Sequence, residues 1–154
     1  MSENVLLTPS TLPHQAPPFD QIKEDDYLPA VKAAIEEARE NIDALKADPA
    51  TPDFENTIVA LETASERLGV VAGIFYNQLH AAGTDRLEAL AQDIGPLQAN
   101  FSSDVAMDPD VFARVKAVYD ARDALDLNVE QRTLLEDTYK GFVRGGALLN
   151  DEDK

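Results

Sequence analysis

Apolar residues recur at helical spacing along most of this chain. Between residues 25 and 47 they step by four, three, four and three, which places them on one stripe of a helix. The members of this stripe are Val31, Ile35, Ala38, Ile42 and Leu45. Pro29 falls in the first turn, where its missing N–H costs little. The pattern predicts a first helix whose opposite, acidic side faces solvent.

A second helix is predicted from residue 54 onward. Asp53 stands where an N-cap would accept hydrogen bonds from the free amides of the first turn. The apolar seam then continues through Ile58 and Leu61 as far as residue 79, so both side chains are expected to be buried. Gly69 and Gly73 lie four positions apart on this helix. A close crossing with another helix is the expected reason for them.

A third helix is predicted over residues 84–105, which again carry apolar residues at helical spacing. Gly83 and Thr84 precede it as the stop of one helix and the cap of the next. Gly95 and Pro96 fall inside the pattern, so we expect a kink or a break there.

Two further helices follow. Asp108 and Pro109 form a cap followed by proline at the first helical position. Asn128 and Gln131 have the spacing of a capping box. No stretch alternates apolar and polar residues convincingly, and the connections are short. We therefore predict an all-α fold, an up-and-down antiparallel bundle of about five helices.

The N-terminal segment differs from the rest of the chain. Four of the nine prolines lie within the first eighteen residues, which favours extended geometry over a helix. We predict an extended proline-rich arm over residues 1–22, docked through Leu12, Phe19 and Ile22. The helical bundle would occupy residues 23–149, and residues 150–154 resemble the start of a helix that is cut off.

The chain is acidic but otherwise ordinary in composition. Hydrophobic residues make up 44% and charged residues 27%, as in folded globular proteins. Asp and Glu number 29 against 13 Lys and Arg, a net charge of −16. Such a surface repels phosphates, so we exclude nucleic acid and anionic membranes as partners. The acidity either attracts a basic partner or only maintains solubility, and the second interpretation is favoured.

The sequence also bears on the compartment. Cysteine is absent, which excludes disulfides and thiolate chemistry. The N-terminus has an acidic residue where a signal peptide carries positive charge, and no run approaches the roughly 18 apolar residues of a membrane span. A cytoplasmic protein is expected.

A search for catalytic patterns finds none. The two histidines, His14 and His80, are far apart in sequence and lack the spacing of zinc ligands. Ser65, Ser102 and Ser103 lack the context of a nucleophile elbow. No phosphate-binding glycine loop and no EF-hand frame occurs. We predict that this chain contains no catalytic, cofactor-binding or metal-ligating residue.

Three blocks of sequence carry a resemblance to a known family. They are residues 6–30, with Ser-Thr-Leu-Pro at 10–13, the run TPDFENTIVALE at 51–62, and residues 127–154. Together they resemble the N-terminal part of thimet-oligopeptidase-like zinc metallopeptidases, and within that family they are most similar to bacterial peptidyl-dipeptidases, the dipeptidyl carboxypeptidases. The Ser-Thr-Leu-Pro arm favours these over oligopeptidase A.

The resemblance implies the non-catalytic N-terminal helical domain of an enzyme that removes C-terminal dipeptides from oligopeptides. Two helical halves of such an enzyme flank a channel, and this domain would form one wall. Zinc and its His-Glu-x-x-His helix would lie in the C-terminal catalytic half, the expected partner along with oligopeptide substrates. No cofactor is expected in this chain, which alone would be inactive. The alternatives are a free-standing acidic helical interaction module, or the same domain of an oligopeptidase A-type endopeptidase.

Overall fold

Helices dominate residues 4–148, the part of the chain that the computed structural model describes. No strand occurs among these residues. The α-helices are α1 (Tyr27–Ala47), α2 (Ala60–Thr63), α3 (Glu66–Ala82), α4 (Asp85–Ala106), α5 (Pro109–Asp120) and α6 (Val129–Arg144). All but the single turn α2 have 12 to 22 residues, so the predicted all-α class with about five helices is confirmed. The helix start predicted at residues 150–154 lies outside the described residues.

The described chain divides into two compact units. The first comprises the residues up to Arg39 together with Ser65–Asn100, and the second comprises Glu40–Ala64 and the residues from Phe101 onward. Helices α1 and α4 therefore each contribute residues to both units. The arm and bundle limits drawn from the sequence stay predictions.

The first unit is built on the apolar stripes of α1, α3 and α4. Its buried hydrophobic residues are Leu6, Tyr27, Ala30, Val31, Ala34, Ile35, Ala38, Leu68, Val71, Ala72, Phe75, Leu87, Leu90 and Ile94. The ring of Tyr27 meets that of Phe75 edge to face, with centroids 5.2 Å apart. The stripe predicted for the first helix is thus buried in this unit as far as Ala38.

The N-terminal arm is attached to the first unit, but not by the side chains that the sequence indicated. Leu12 and Phe19 are 42% and 44% exposed, and Ile22 is half-buried. Leu6 is the buried side chain of the arm, within the 3₁₀ turn Val5–Leu7. The arm therefore docks near its start.

Polar contacts reinforce this attachment. Arg67 on α3 donates from Nη1 to the carbonyl of Leu7 and from Nε to the carboxylate of Glu37, the second bond being 2.6 Å long. One arginine thereby joins the arm to α1 and α3. Asn4 also donates to the carbonyl of Asp26 at 2.8 Å.

The second unit has a separate hydrophobic cluster, formed by the end of α1, the segment 54–64 and helices α5 and α6. Its buried members are Ile42, Phe54, Ile58, Ala64, Val111, Phe112, Val115, Val118, Leu135 and Phe142. Ile58, Val111, Val115 and Leu135 are fully buried. This unit holds the sequence run at residues 51–62.

The predicted second helix is not continuous. It begins with a π-helical turn, Phe54–Val59, continues as the single turn α2, and is interrupted at Ser65, whose φ of −113° and ψ of 23° are not helical. In a π turn each N–H reaches back five residues, which adds a residue to the turn and rotates the following side chains away from the helical seam. Leu61 is accordingly only partly buried, contrary to the sequence prediction, whereas Ile58 is buried as predicted.

The glycines give mixed outcomes. Gly83 ends α3 with φ 52°, a left-handed C-cap, as the predicted stop required. A Cβ built on Gly69 or Gly73 meets no heavy atom within 4 Å, so the close crossing expected there is wrong within the described residues. Helix α4 runs through Pro96 without a break. Pro96 has no backbone N–H, so one hydrogen bond within the helix is missing, and the surrounding helix tolerates this local loss.

Candidate functional site

The family-like run at residues 51–62 is organised around a reciprocal cap. The Asp53 carboxylate accepts from the backbone N–H of Asn56 at 2.7 Å, and the Asn56 side-chain oxygen accepts from the backbone N–H of Asp53 at 2.9 Å. The predicted N-cap is therefore present. Asn56 also donates through its amide nitrogen to the carbonyl of Thr51 at 3.0 Å. These bonds fix the entry of the chain into the π turn.

Asn56 links this cap to α5. Its Oδ1 also accepts from the Thr57 hydroxyl at 2.8 Å and from Nη2 of Arg114 at 3.2 Å. Arg114 donates from Nη1 to the carbonyl of Asp48 at 2.9 Å, and its Nη2 lies 3.6 Å from the Asp48 carboxylate. Only 11% of the Arg114 side chain is exposed. One guanidinium thus joins α5 to Asp48, just after α1, and to Asn56, within the π turn.

The apolar residues of the same run enter the core of the second unit. Phe54, Thr57 and Ile58 are buried, and the π turn packs against α5 and α6. Thr57 is fully buried, and its hydroxyl donates a hydrogen bond to the side-chain oxygen of Asn56. The side chains of Asp53, Asn56 and Thr57 are thus occupied in capping and cross-linking. These interactions serve to stabilise the fold of the second unit.

A second group of polar interactions connects α1 with the start of α5. Asp108 caps the helix by accepting from the backbone N–H groups of Asp110 and Val111 at 2.9 and 3.0 Å. Lys46 on α1 donates to Asp108 at 3.0 Å and lies 2.9 Å from Asp43. Burial alone would raise the pKa of Asp108, but the bonds from Val111, Lys46 and Asp110 outweigh it and lower that pKa. The hydrogen bonds to Asp43 and Asp108 raise the pKa of Lys46.

Aromatic rings stack between α5 and α6. Tyr119 and Tyr139 are nearly parallel, at 5° with centroids 3.8 Å apart, and Phe112 stacks between Tyr139 and Phe142 at 5.9 Å from each. The guanidinium of Arg122 lies 4.1 Å above the Tyr119 ring. Such stacks add to the stability that burial provides and hold the two helices in register.

The residues considered for catalysis are scattered in the structure. His14 and His80 are exposed, Ser102 and Ser103 are exposed on α4, and Ser65 is half-buried at the end of the broken helix. Among residues 4–148, no group of three or more His, Asp or Glu could hold a metal ion. The described residues therefore do not fit the zinc that the family resemblance implies. In the same part of the chain, no helix is both long and apolar enough to span a bilayer.

Sequence reasoning missed the two cross-links that organise the second unit. Arg114 stands 58 positions from Asn56, and Lys46 stands 62 positions from Asp108. A charged residue in an amphipathic helix gives no signal of such a distant partner. The capping positions of Asp53 and Asp108 were the part that local sequence could reveal.

In sequence, the chain is similar to a segment of known peptidases. Over all of its 154 residues it is 39% identical to the dipeptidyl carboxypeptidase of Salmonella typhimurium, and it spans 23% of that protein. It is 38% identical over 151 residues, 98% of its length, to the dipeptidyl carboxypeptidase of Escherichia coli, of which it spans 22%. No protein-family model matches the chain.

A second kind of peptidase is more distantly similar. The chain is 25% identical over 149 residues, 97% of its length, to oligopeptidase A of Escherichia coli, of which it spans 21%. The resemblance stated from the sequence is thereby confirmed, and the identity with dipeptidyl carboxypeptidases is the higher of the two. A share of about a fifth is consistent with an N-terminal segment of such a peptidase.

Proposed function

We propose that this chain is the non-catalytic N-terminal domain of a zinc peptidase that removes C-terminal dipeptides from oligopeptides. In that enzyme it forms one wall of the substrate channel. The zinc and the hydrolytic residues belong to the C-terminal catalytic half, which is the partner of this chain. A narrow channel admits flexible oligopeptides and rejects folded proteins, so the contribution of the wall is steric selection. The whole enzyme acts in the cytoplasm.

One observation carries the proposal: the alignment with a dipeptidyl carboxypeptidase extends over all 154 residues at 39% identity. Chance similarity between acidic helices does not extend over a whole chain at that level. The chain spans 23% of this relative, which supports a domain within a larger enzyme.

The geometry of the family-like run supports a structural role for this part of the enzyme. Asp53 and Asn56 hydrogen-bond to each other's backbone, and the two terminal nitrogens of Arg114 reach Asn56 and Asp48. A catalytic residue must direct a polar group toward substrate, within about 3 Å of the atom it acts on. The polar groups of Asp53, Asn56 and Thr57 are instead bonded within the protein. They therefore fit a scaffold that holds the wall in shape.

The alternative substrate class is that of an oligopeptidase A-type endopeptidase. Its support is the 25% identity with oligopeptidase A, against 39% with the dipeptidyl carboxypeptidase. The higher value favours the carboxypeptidase.

A domain exchange tests the proposal. In the Salmonella dipeptidyl carboxypeptidase, the residues that match this chain are replaced by the chain itself, and the chimaera is assayed on short peptides with free and with amidated C-termini. We expect release of C-terminal dipeptides from the free peptides only. Cleavage of both kinds of peptide would instead favour an endopeptidase domain.

A deletion variant, assayed with and without this chain, serves as the control for the exchange. The enzyme from which the matched residues are deleted should lose activity, and addition of this chain in trans should restore it or at least yield a stable complex. A deletion enzyme that cleaves short peptides and excludes long ones as well as the intact enzyme does would contradict the wall role.

A further inference from the structure

Beyond its first turn, which begins with the exposed Glu66, the outward side of α3 carries no Asp, Glu, Lys or Arg. None of residues 68–84 is Asp, Glu, Lys or Arg, although these types make up 27% of the sequence. Burial accounts for the inner side of the helix, but not for the residues opposite. Those residues, which we call the outer face of α3, are all exposed and are Gly69, Val70, Gly73, Asn77, His80 and Ala81.

This face has the composition of an interface centre. Val70 is 55% exposed, and no Asp, Glu, Lys or Arg belongs to the outer face; Glu66 precedes the face by one turn. A single exposed valine is ordinary, but depletion of charge over a whole face distinguishes the centre of a protein interface from the rest of a surface. In a chain of net charge −16 the depletion is pronounced. The lack of charge also makes the face unsuited to a basic peptide.

The two glycines provide an independent observation. A Cβ on Gly69 or Gly73 would meet nothing within 4 Å, so alanine would fit at both positions. Alanine is the better helix former, and the first unit therefore gives up helix stability at two positions without a reason inside the described structure. Glycine is used where another backbone must approach closely. Residues four apart also form the ridges and grooves along which two helices pack.

We propose that the outer face of α3 is the surface on which a helix from the remainder of the larger peptidase packs. This inference rests on the proposed function. The relatives supply the argument for the occupant, because the chain spans only 23% of the Salmonella enzyme and most of a chain of that length lies outside the matched part. An uncharged face with room over two glycines fits an apolar helix crossing at close range.

The test compares one substitution in two contexts. Gly73→Leu is introduced into this chain alone and into the Salmonella chimaera, and the midpoint of thermal unfolding is measured in both. In the chain alone the midpoint should stay or rise, because leucine favours the helix and its Cβ meets no neighbour within 4 Å. In the chimaera the midpoint should fall, because leucine occupies the space of the packed helix. Val70→Lys should behave likewise, through burial of a charge.

The matched control is Gly141→Leu on α6. Gly141 is also exposed with nothing within 4 Å of a built Cβ, but charged residues such as Lys140 and Arg144 are close in sequence. Its effect should be the same in both contexts. An equal effect of Gly73→Leu in the chain alone and in the chimaera overturns the proposal.

Three other outcomes have distinct meanings. If the chain alone sediments as a dimer and Gly73→Leu makes it monomeric, the occupant is a second copy and the proposal is wrong. If the unmodified chimaera fails to fold, the proposed function itself is contradicted and this inference fails with it. A folded but inactive chimaera contradicts the function alone, because the two midpoints can still be compared.

Discussion

Lys46, near the end of α1, donates a hydrogen bond to Asp108, the N-cap of α5, with Nζ 3.0 Å from Oδ2. Asp108 thereby serves two purposes with one carboxylate, since its other oxygen caps the helix. Asp108→Ala removes both interactions, whereas Asp108→Asn keeps a good cap and removes the charge. We expect Asp108→Ala to cost about 1 to 2 kcal/mol of unfolding free energy and Asp108→Asn less. Chemical denaturation at neutral pH measures both.

The same carboxylate predicts a dependence on pH. Because the folded state lowers the pKa of Asp108 below 3.8, its contribution is complete above that value and is lost as the pH falls through the lowered pKa. The difference in unfolding free energy between the natural chain and Asp108→Asn should therefore shrink between about pH 7 and about pH 3. A difference that grows on acidification would contradict the assigned direction. Asp110→Asn is the control, because the cap of α5 and the ion pair with Lys46 are both made by Asp108.

Arg114 should be the arginine of the second unit that is most sensitive to substitution. Its guanidinium is 11% exposed and reaches both Asp48 and Asn56, which a lysine cannot match in geometry. We expect Arg114→Lys to cost about 1 to 3 kcal/mol of unfolding free energy, because half-buried acceptors lose their donor. Arg132→Lys provides the comparison, since Arg132 is 38% exposed and pairs with an exposed Asp123. That change should cost about 0 to 1 kcal/mol of unfolding free energy. Equal losses for the two variants would show that the contacts of Arg114 do not stabilise the second unit more than a surface ion pair does.

The π turn predicts unequal effects of two neighbouring aliphatic residues. Ile58 is fully buried, so Ile58→Ala should cost about 2 to 5 kcal/mol. Leu61 is partly exposed after the π turn, so Leu61→Ala should cost about 1 to 2 kcal/mol. Denaturant midpoints of the two variants decide the matter. A larger loss for Leu61 would indicate a regular α-helix at this position.

The last prediction concerns the metal. The chain alone should neither retain zinc nor hydrolyse peptides, because its two histidines do not provide the three protein ligands that a catalytic zinc site usually has. Elemental analysis after dialysis against buffer measures the zinc content. About one zinc per chain would contradict the prediction, and a peptidase assay on the same sample reports activity independently.

The parts of the fold that sequence predicted are those determined locally. Asp108 caps α5, and Asn128 and Gln131 form the predicted capping box of α6. These interactions join residues within one helical turn, so residue type and spacing suffice to identify them.

The parts that sequence could not predict depend on partners distant in the chain. The arm is held by Leu6 and by Arg67, which is 60 positions from Leu7. The π turn forms where Phe54 and Ile58 pack against α5 and α6, and apolar spacing alone does not distinguish it from an α-helix. The candidate site shows the same division, because its caps were visible in the sequence and Arg114 was not.

The division into two units has a consequence for synthesis of the chain. The first unit is complete once residue 100 has emerged, whereas the second joins residues 40–64 to a segment that begins at Phe101. Until α5 and α6 follow, Phe54 and Ile58 lack the apolar partners that these two helices supply. Domains fold as units during synthesis, and exposed apolar surface in the interval promotes aggregation. The family-like run must therefore wait for its cover until α5 and α6 have been synthesised.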